Sequence, residues 1–209
     1  MYSVQKECQE SIMQSGNNET VFTDLVFERI DDASVLSNFY CGIPEMDDFI
    51  HEKLQGYLNR TGCEAYVVRL EDCIVAMLSL GDDTLTLDDD DKDDMKSGFI
   101  PKPNKALDDQ AFLTENEFSA VEITYLAVDR NFRGQGIGEY IISQVEKKVQ
   151  HERPECEFIT VEAYITKGYS AVGFYSRCNF TPAEPPMGYK DTLRMYKVLH
   201  PTSFDYHED

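Results

Sequence analysis

Glu122-Ile-Thr-Tyr-Leu-Ala-Val128-Asp-Arg-Asn-Phe-Arg133-Gly-Gln-Gly136-Ile-Gly138 joins an apolar, β-branched run to a basic, glycine-rich turn. A helical pattern follows at once, with Ile137, Tyr140, Ile141, Val145 and Val149 repeating at three- and four-residue steps along one face. Strand, loop and helix in this order form a common phosphate holder. Glycine has no Cβ, so successive N–H groups can turn toward one point and approach a pyrophosphate, and the helix N-terminus adds favourable partial charge. Arg130 and Arg133 bring full positive charge to the same turn.

Two other phosphate loops are excluded. The dinucleotide pattern G-x-G-x-x-G requires glycine where Glu139 stands, and the P-loop ending G-K-(S/T) is absent. What remains, Arg133-x-x-Gly136-x-Gly138, resembles the acetyl-CoA loop of the GNAT superfamily of N-acetyltransferases, (R/Q)-x-x-G-x-(G/A). Leu126-Ala127-Val128-Asp129 before it and the amphipathic helix after it also match that family. The resemblance implies a mixed α/β (α+β) fold, a central, mostly antiparallel sheet flanked by helices. It also implies acetyl-CoA as co-substrate, with its pyrophosphate on Arg133, Gly134, Gln135, Gly136, Ile137 and Gly138. The backbone of Leu126, Ala127 and Val128 would hold the pantetheine arm and thioester, family members opening the strand there with a bulge that frees main-chain donors.

The chain of 209 residues is long enough for one substantial core and is read as a single domain over residues 21–199, between a loose leader 1–20 and a tail 200–209. No apolar run approaches the roughly 20 residues that span a bilayer, and the N-terminus is polar, so a soluble, cytoplasmic protein is expected. The six cysteines show no C-x-x-C pair or metal-like spacing with the four histidines, which predicts reduced, structural thiols and no metal centre. A formal charge of −20 repels polyphosphate surfaces and attracts cations. General nucleic-acid binding is therefore disfavoured, and oligomeric state, a homodimer included, stays open.

In chain order, Val21–Ile30 reads as a first strand. Asp31, Asp32 and Ser34 cap a short helix, and Pro44 starts another with Met46, Phe49, Ile50, Leu54, Tyr57 and Leu58 on one face. Phe39-x-Cys41-Gly42-x-x-x-Met46-x-x-Phe49 carries a narrower resemblance, to GNAT proteins that include aminoacyl-tRNA-acetylating toxins; Cys41 itself reads as a small buried residue. Residues 64–70 and 73–80 form a hairpin about Glu71-Asp72. Residues 81–120, with the run Asp88–Asp94, read as an insertion carrying a solvated loop; an EF-hand would need glycine at Asp94 and glutamate at Ile100. Residues 157–163 are a strand, Lys167–Ser170 opens a helix through Phe174 and Tyr175, and 192–199 closes the sheet. Ala171-x-x-Phe174-Tyr175-x-x-x-Asn179-Phe180 is similar to the family's A-x-x-(F/L)-Y-x-x-x-G-F, with asparagine in place of the helix-stopping glycine. Gly168 stands where many relatives carry a cofactor-touching asparagine, a departure from the family pattern that bears on that one contact.

Acetyl transfer to an amine needs a deprotonated nucleophile, a polarised carbonyl and a proton for the leaving thiolate. A lysine-like amine has a pKa near ~10.4 and requires a base at neutral pH. The resemblance offers Glu122, spaced from Val128 as in histone-type enzymes and sharing one strand face with Thr124, Leu126 and Val128; an ion-paired strand glutamate is the alternative. Tyr175, on the family's motif tyrosine, is the candidate acid, with a core tyrosine beside Phe174 as the alternative. The expected reaction is direct N-acetylation, in a ternary complex, of a cationic primary amine: a small amine, or a protein lysine or N-terminus. An aminoacyl-tRNA-acetylating toxin and a non-catalytic acyl-CoA-binding module are the competing readings.

Overall fold

The computed structural model describes residues 24–60, 62–103, 109–166, 168–183 and 191–199. The expected leader 1–20, tail 200–209 and start of the first strand lie outside the described residues. The strands are β1 (Leu25–Ile30), β2 (Cys63–Leu70), β3 (Cys73–Thr86), β4 (Glu117–Val128), β5 (Phe158–Thr166), β6 (Tyr169–Ser170), β7 (Thr181–Pro182) and β8 (Thr192–Val198). They join in the order β1-β2-β3-β4-β5-β8-β7, with β6 paired to β5. β4 and β5 run parallel, whereas β1–β2, β5–β6, β5–β8 and β7–β8 are antiparallel. This is the mixed, mostly antiparallel sheet that the resemblance implied.

The chain divides into two compact units, one of residues 1–80 and 125–141, the other of 81–124 and 142–209. In the first, Asp32 caps a 3-10 turn, Ala33–Leu36, by accepting from the Ser34 N–H. A longer helical run then passes through α1 (Pro44–Asp48), a π-helical turn (Phe49–Lys53) and α2 (Leu54–Leu58). Pro44 opens it because a first-turn N–H has no helical acceptor to lose. Its buried face, Phe49, Ile50 and Leu54, packs with Ile30, Leu36, Phe39, Val67, Met77 and Ala127. Phe49 also stacks on Tyr125 with ring centroids 3.5 Å apart. The hairpin expected at Glu71-Asp72 is present, with Glu71 in the left-handed region at φ 52°.

The second unit corrects the reading of the acidic run. Asp89–Ser97 is a helix, α3, not a solvated loop. Asp88 caps it by accepting from the Asp91 N–H at 2.8 Å, and Asp89, Asp90 and Asp91 occupy the first turn, where the helix dipole favours negative charge. Gly98 ends it at φ 77°, with its N–H and that of Phe99 returning to the last turn. Met95 on its inner face joins Leu85, Leu87, Phe112, Phe118, Phe158 and Tyr196 in a core. The supposed insertion therefore begins as strand, since β3 continues to Thr86, and ends as strand, since β4 starts at Glu117, with α4 (Asp109–Thr114) just before it.

Further along, α5 (Ile137–Glu152) matches the predicted amphipathic helix. Of the expected helix opening Lys167–Ser170, Lys167 lies outside the described residues, and Tyr169–Ser170 pairs back on β5 as strand, with α6 starting at Val172 and running to Arg177. Cys73 is disulfide-bonded, contrary to the expectation of reduced thiols, whereas Cys41, Cys63, Cys156 and Cys178 form no disulfide. Spacing alone carries no pairing information for such a cysteine. Among the described residues, no cluster of metal-ligating side chains forms and no helix is long and apolar enough to cross a membrane.

Lys92 is the cation that anchors the acidic helix. It is 2% exposed, and its Nζ donates to Asn116 Oδ1 at 2.6 Å and to the Leu113 carbonyl at 3.3 Å. Lys92→Ala removes a packed stem and leaves those acceptors without their donor, so chemical denaturation should report a loss of about 2–4 kcal/mol.

Candidate active site

The turn after β4 is organised by Asp129, which is buried. Its N–H donates to the Val75 carbonyl at 2.9 Å, its carboxylate accepts from the Asn131 N–H at 2.8 Å, and its carbonyl accepts from the Phe132 N–H at 2.9 Å. Phe132 is drawn into the core, while Arg133, Gly134 and Gln135 remain exposed. Gly134 and Gly136 lie at φ 74° and 80°, a region that costs other residues about 1–2 kcal/mol. The Tyr140 N–H returns to the Gly136 carbonyl at 3.0 Å and starts α5, with Ile137 buried beneath. N–H groups of a first turn have no intrahelical acceptor, so an exposed arginine, two positive-φ glycines and this turn fit a pyrophosphate. The loop residues Arg133 to Gly138 thus run from the end of this turn into the start of α5.

Leu126, Ala127 and Val128 precede that turn in the same unit. The β4–β5 register runs from Ala120↔Phe158 to Ile123↔Val161, so these three residues lie past its last pair. Ala127 is buried and its two neighbours are half-buried, the alternation anticipated for a strand.

The Phe39–Phe49 segment packs on the same turn. The Arg130 N–H donates to the Tyr40 carbonyl at 3.1 Å, and a Cβ on Gly42, at φ 80°, would sit 3.5 Å from the Arg130 Cβ. Asp47 secures the bend by accepting from the N–H groups of Cys41 at 2.7 Å and Gly42 at 3.0 Å. Cys41 is fully buried, and burial pushes its thiol up to about 11 although Arg133 pulls the other way. A thiol held neutral is a poor nucleophile, which leaves Cys41 in the core. The roles of Asp47 and Asp129 were missed in the sequence; the signal available was an aspartate beside a turn, where its side chain can accept from nearby N–H groups.

Glu122 and Tyr175 belong to the other unit. Glu122 pairs in register with Thr160 on β5, and burial raises its carboxyl above the ordinary value, helped by the charges of Asp83 and Glu162 and opposed by Arg194. Arg194 bridges Asp83 at 2.7 Å and Glu162 at 3.3 Å. Asp83, Glu162 and Arg194 went unnoticed in the sequence because they stand on three strands far apart in the chain. Tyr175 lies on α6, edge-on to Phe174 and Phe180, and burial raises its phenol further above its ordinary value. Asn179 ends α6 in the left-handed conformation at φ 65°, so the helix stop survives without glycine. The Phe180 N–H then closes on the Tyr175 carbonyl at 3.0 Å.

The family model described as the acetyltransferase (GNAT) family matches residues 30–180. The chain belongs to this family. It is a GNAT-type N-acetyltransferase, and acetyl-CoA is its co-substrate. No curated protein matches it. Among solved structures, it is similar to a bacterial toxin at 15% identity and TM-score 0.61, covering 84% of this chain and 90% of that one. It is similar to AtaT complexed with acetyl-methionyl-tRNAfMet at 20% identity and TM-score 0.59, over 84% and 95% of the two chains. AtaTR bound with AcCoA aligns at 18% identity and TM-score 0.57, over 85% and 94%. At these identities the likeness concerns the fold alone.

If the turn cradles a pyrophosphate, acetyl-CoA should raise the melting temperature of the wild-type chain, because a ligand of the native state stabilises it. Gly136→Val places a β-branched residue at positive φ and should remove most of that rise. Thermal shift against acetyl-CoA concentration checks this, and an undiminished affinity in a folded variant would withdraw the loop from the cofactor.

Proposed function

We propose that residues 21–199 act as one acetyltransferase domain that moves the acetyl group of acetyl-CoA directly to a cationic primary amine within a ternary complex. The acceptor class is a small cationic amine, or the lysine or N-terminal amine of a protein. Arg133 and the amides of Gly134, Gln135, Gly136, Ile137 and Gly138 would hold the pyrophosphate, and the backbone of Leu126, Ala127 and Val128 would orient the thioester. Glu122 accepts the proton that the attacking nitrogen loses. Tyr175 gives its phenolic proton to the departing sulfur as the C–S bond breaks.

The observation that carries this reading is the raised carboxyl of Glu122 among Asp83 and Glu162. A base is most effective when its pKa approaches the working pH, and surplus negative charge beside it favours an ammonium acceptor before deprotonation. Burial raises the phenol of Tyr175, which keeps it protonated at neutral pH but makes it a weaker donor, so the acid role rests on its place in the motif. The neutral thiol of Cys41 gives no support to a covalent acetyl-cysteine route.

A second reading, acetylation of aminoacyl-tRNA, draws on the geometry of Phe39–Phe49 and on the toxin structures of similar fold. An α-amino group titrates near ~7.7–8.0, so it asks far less of a base than a lysine-like amine does. The formal charge of −20 also works against a polyanionic partner. A non-catalytic acyl-CoA-binding module has no observation in its favour.

Tyr175→Phe should lower the maximal rate by about 100-fold with little change in acetyl-CoA affinity, since acid help acts in the transition state. Stopped-flow detection of free CoA thiol measures both. For Glu122→Gln, the deficit should be about 100-fold at pH 7 and should shrink toward pH ~10, where the amine deprotonates unaided. Turnover should be assayed with polyamines, basic peptides and aminoacyl-tRNA in parallel. Acetylation of aminoacyl-tRNA without turnover of any free amine or peptide would replace the first reading by the second.

A further inference from the structure

The polar face of the second unit contains more charge than a strand glutamate needs. Asp83 comes from β3, Glu122 from β4, Glu162 from β5 and Arg194 from β8. The ladders bring them side by side: Glu122 is in register with Thr160, and Glu162 with Arg194. Arg194 Nη2 donates to Asp83 Oδ2 at 2.7 Å and to the Thr84 carbonyl at 3.2 Å, while Nη1 donates to Glu162 Oε1 at 3.3 Å. The Thr192 hydroxyl donates to Glu162 Oε2 at 2.8 Å, and the Thr160 hydroxyl donates to Asp83. Every carboxylate but one is thus tied down. Among the described residues no hydrogen bond holds the Glu122 carboxylate, although it shares the field of all three charged neighbours.

We propose that Asp83, Glu162 and Arg194 form a positioning network that tunes Glu122 as the base of the transfer reaction. The inference rests on the reading of Glu122 given above. Three carboxylates face a single guanidinium, so Glu122 is the one left without a counter-ion of its own. Both terminal nitrogens of Arg194 are already engaged by Asp83 and Glu162, which fixes the cation in place and divides its attraction. These partners are only about one-fifth exposed, with side-chain accessibilities of 18% for Arg194, 20% for Asp83 and 19% for Glu162. Screening by salt is weak for charges so placed. The network sets the pH below which Glu122 is protonated and the acceptor keeps its proton, and it does so from residues that need not touch either substrate.

The signs of the substitutions distinguish this role from a structural one. Asp83→Asn and Glu162→Gln each remove a negative charge near Glu122, which should make its ionised form easier to reach and move its titration to lower pH. Arg194→Gln removes the network's guanidinium and should move it to higher pH. The full-length protein, labelled with carbon-13 at glutamate side-chain carboxyls and assigned through Glu122→Gln, can be titrated by NMR without knowing the acceptor. Shifts of about half a pH unit or more in these opposite directions are expected, with the acid limb of kcat/KM for the best amine acceptor moving alike. Arg194→Lys, which keeps the charge, should restore most of the wild-type midpoint.

Unmoved midpoints, or midpoints that move the same way for Asp83→Asn and Arg194→Gln, would overturn the network. Glu122→Gln at the full wild-type rate would withdraw the base reading itself, and the inference with it, even where the NMR midpoints move as expected. The two failures are therefore separate observations. Should Arg194→Gln fail to fold, the pair Asp83→Asn and Glu162→Gln still has to shift the midpoint downward.

Discussion

The buried carboxylate of Asp129 is the constraint on which the glycine-rich turn after β4 depends. An ionised or polar side chain taken from water is tolerated only when its acceptor capacity is met, and here the acceptor is satisfied by the chain's own turn at Asn131. Because the Asp129 N–H is tied to β3 at the same time, the strand cannot slide without breaking the turn. The exposed sequence Arg133-Gly134-Gln135 is therefore held at a defined exit from the sheet rather than trailing from it. Two positive-φ glycines then complete a bend that a β-branched residue could not follow. The helix that comes next is anchored by Ile137, Ile141, Val145 and Val149, all buried, so the turn is clamped from both ends.

That clamp explains why the turn could be read from sequence while its supports could not. Period-two and period-3.6 apolar patterns report which faces meet a core, and β4 and α5 obey them. The acidic helix α3 hid behind its composition. Charge blocks usually stay solvated, but this one has an aspartate cap, three of its acids in the favourable first turn, a glycine stop, and Lys92 and Met95 on its inner side. The informative residues were the exceptions within the run, not the run. In the same way, Tyr169–Ser170 read as a helix entrance because the motif residues after it are helical, whereas two ladder pairs with Ile165 and Thr166 hold it as strand.

Long-range charge pairing was out of reach of any local pattern. Arg194 and Asp83 are 111 positions apart, and their meeting follows from sheet order rather than from a motif. Cys73 behaves likewise, since a disulfide partner is chosen by three-dimensional proximity. The candidate base was legible only as a spacing from the glycine loop. What surrounds it, and so whether its carboxyl is raised or lowered, became visible with the strands in register.

The electrostatics of the two units call for different kinds of ligand. Around the turn, Arg130 and Arg133 stand beside glycine amides, a local positive setting within a chain of formal charge −20. Around Glu122, carboxylates outnumber the single guanidinium, a local negative setting. A transferase joining an anionic donor to a cationic acceptor needs both fields at once. If one field spread over the whole surface, it would repel one of the two substrates. Acidic residues outnumber basic ones by 39 to 19, so the arginines of the turn are a local exception to the chain's net charge, which is what the proposed pairing of an anionic donor with an ammonium acceptor would need. A polyanionic acceptor would have to approach against that net charge, which is the physical ground on which the proposed reading prefers an amine.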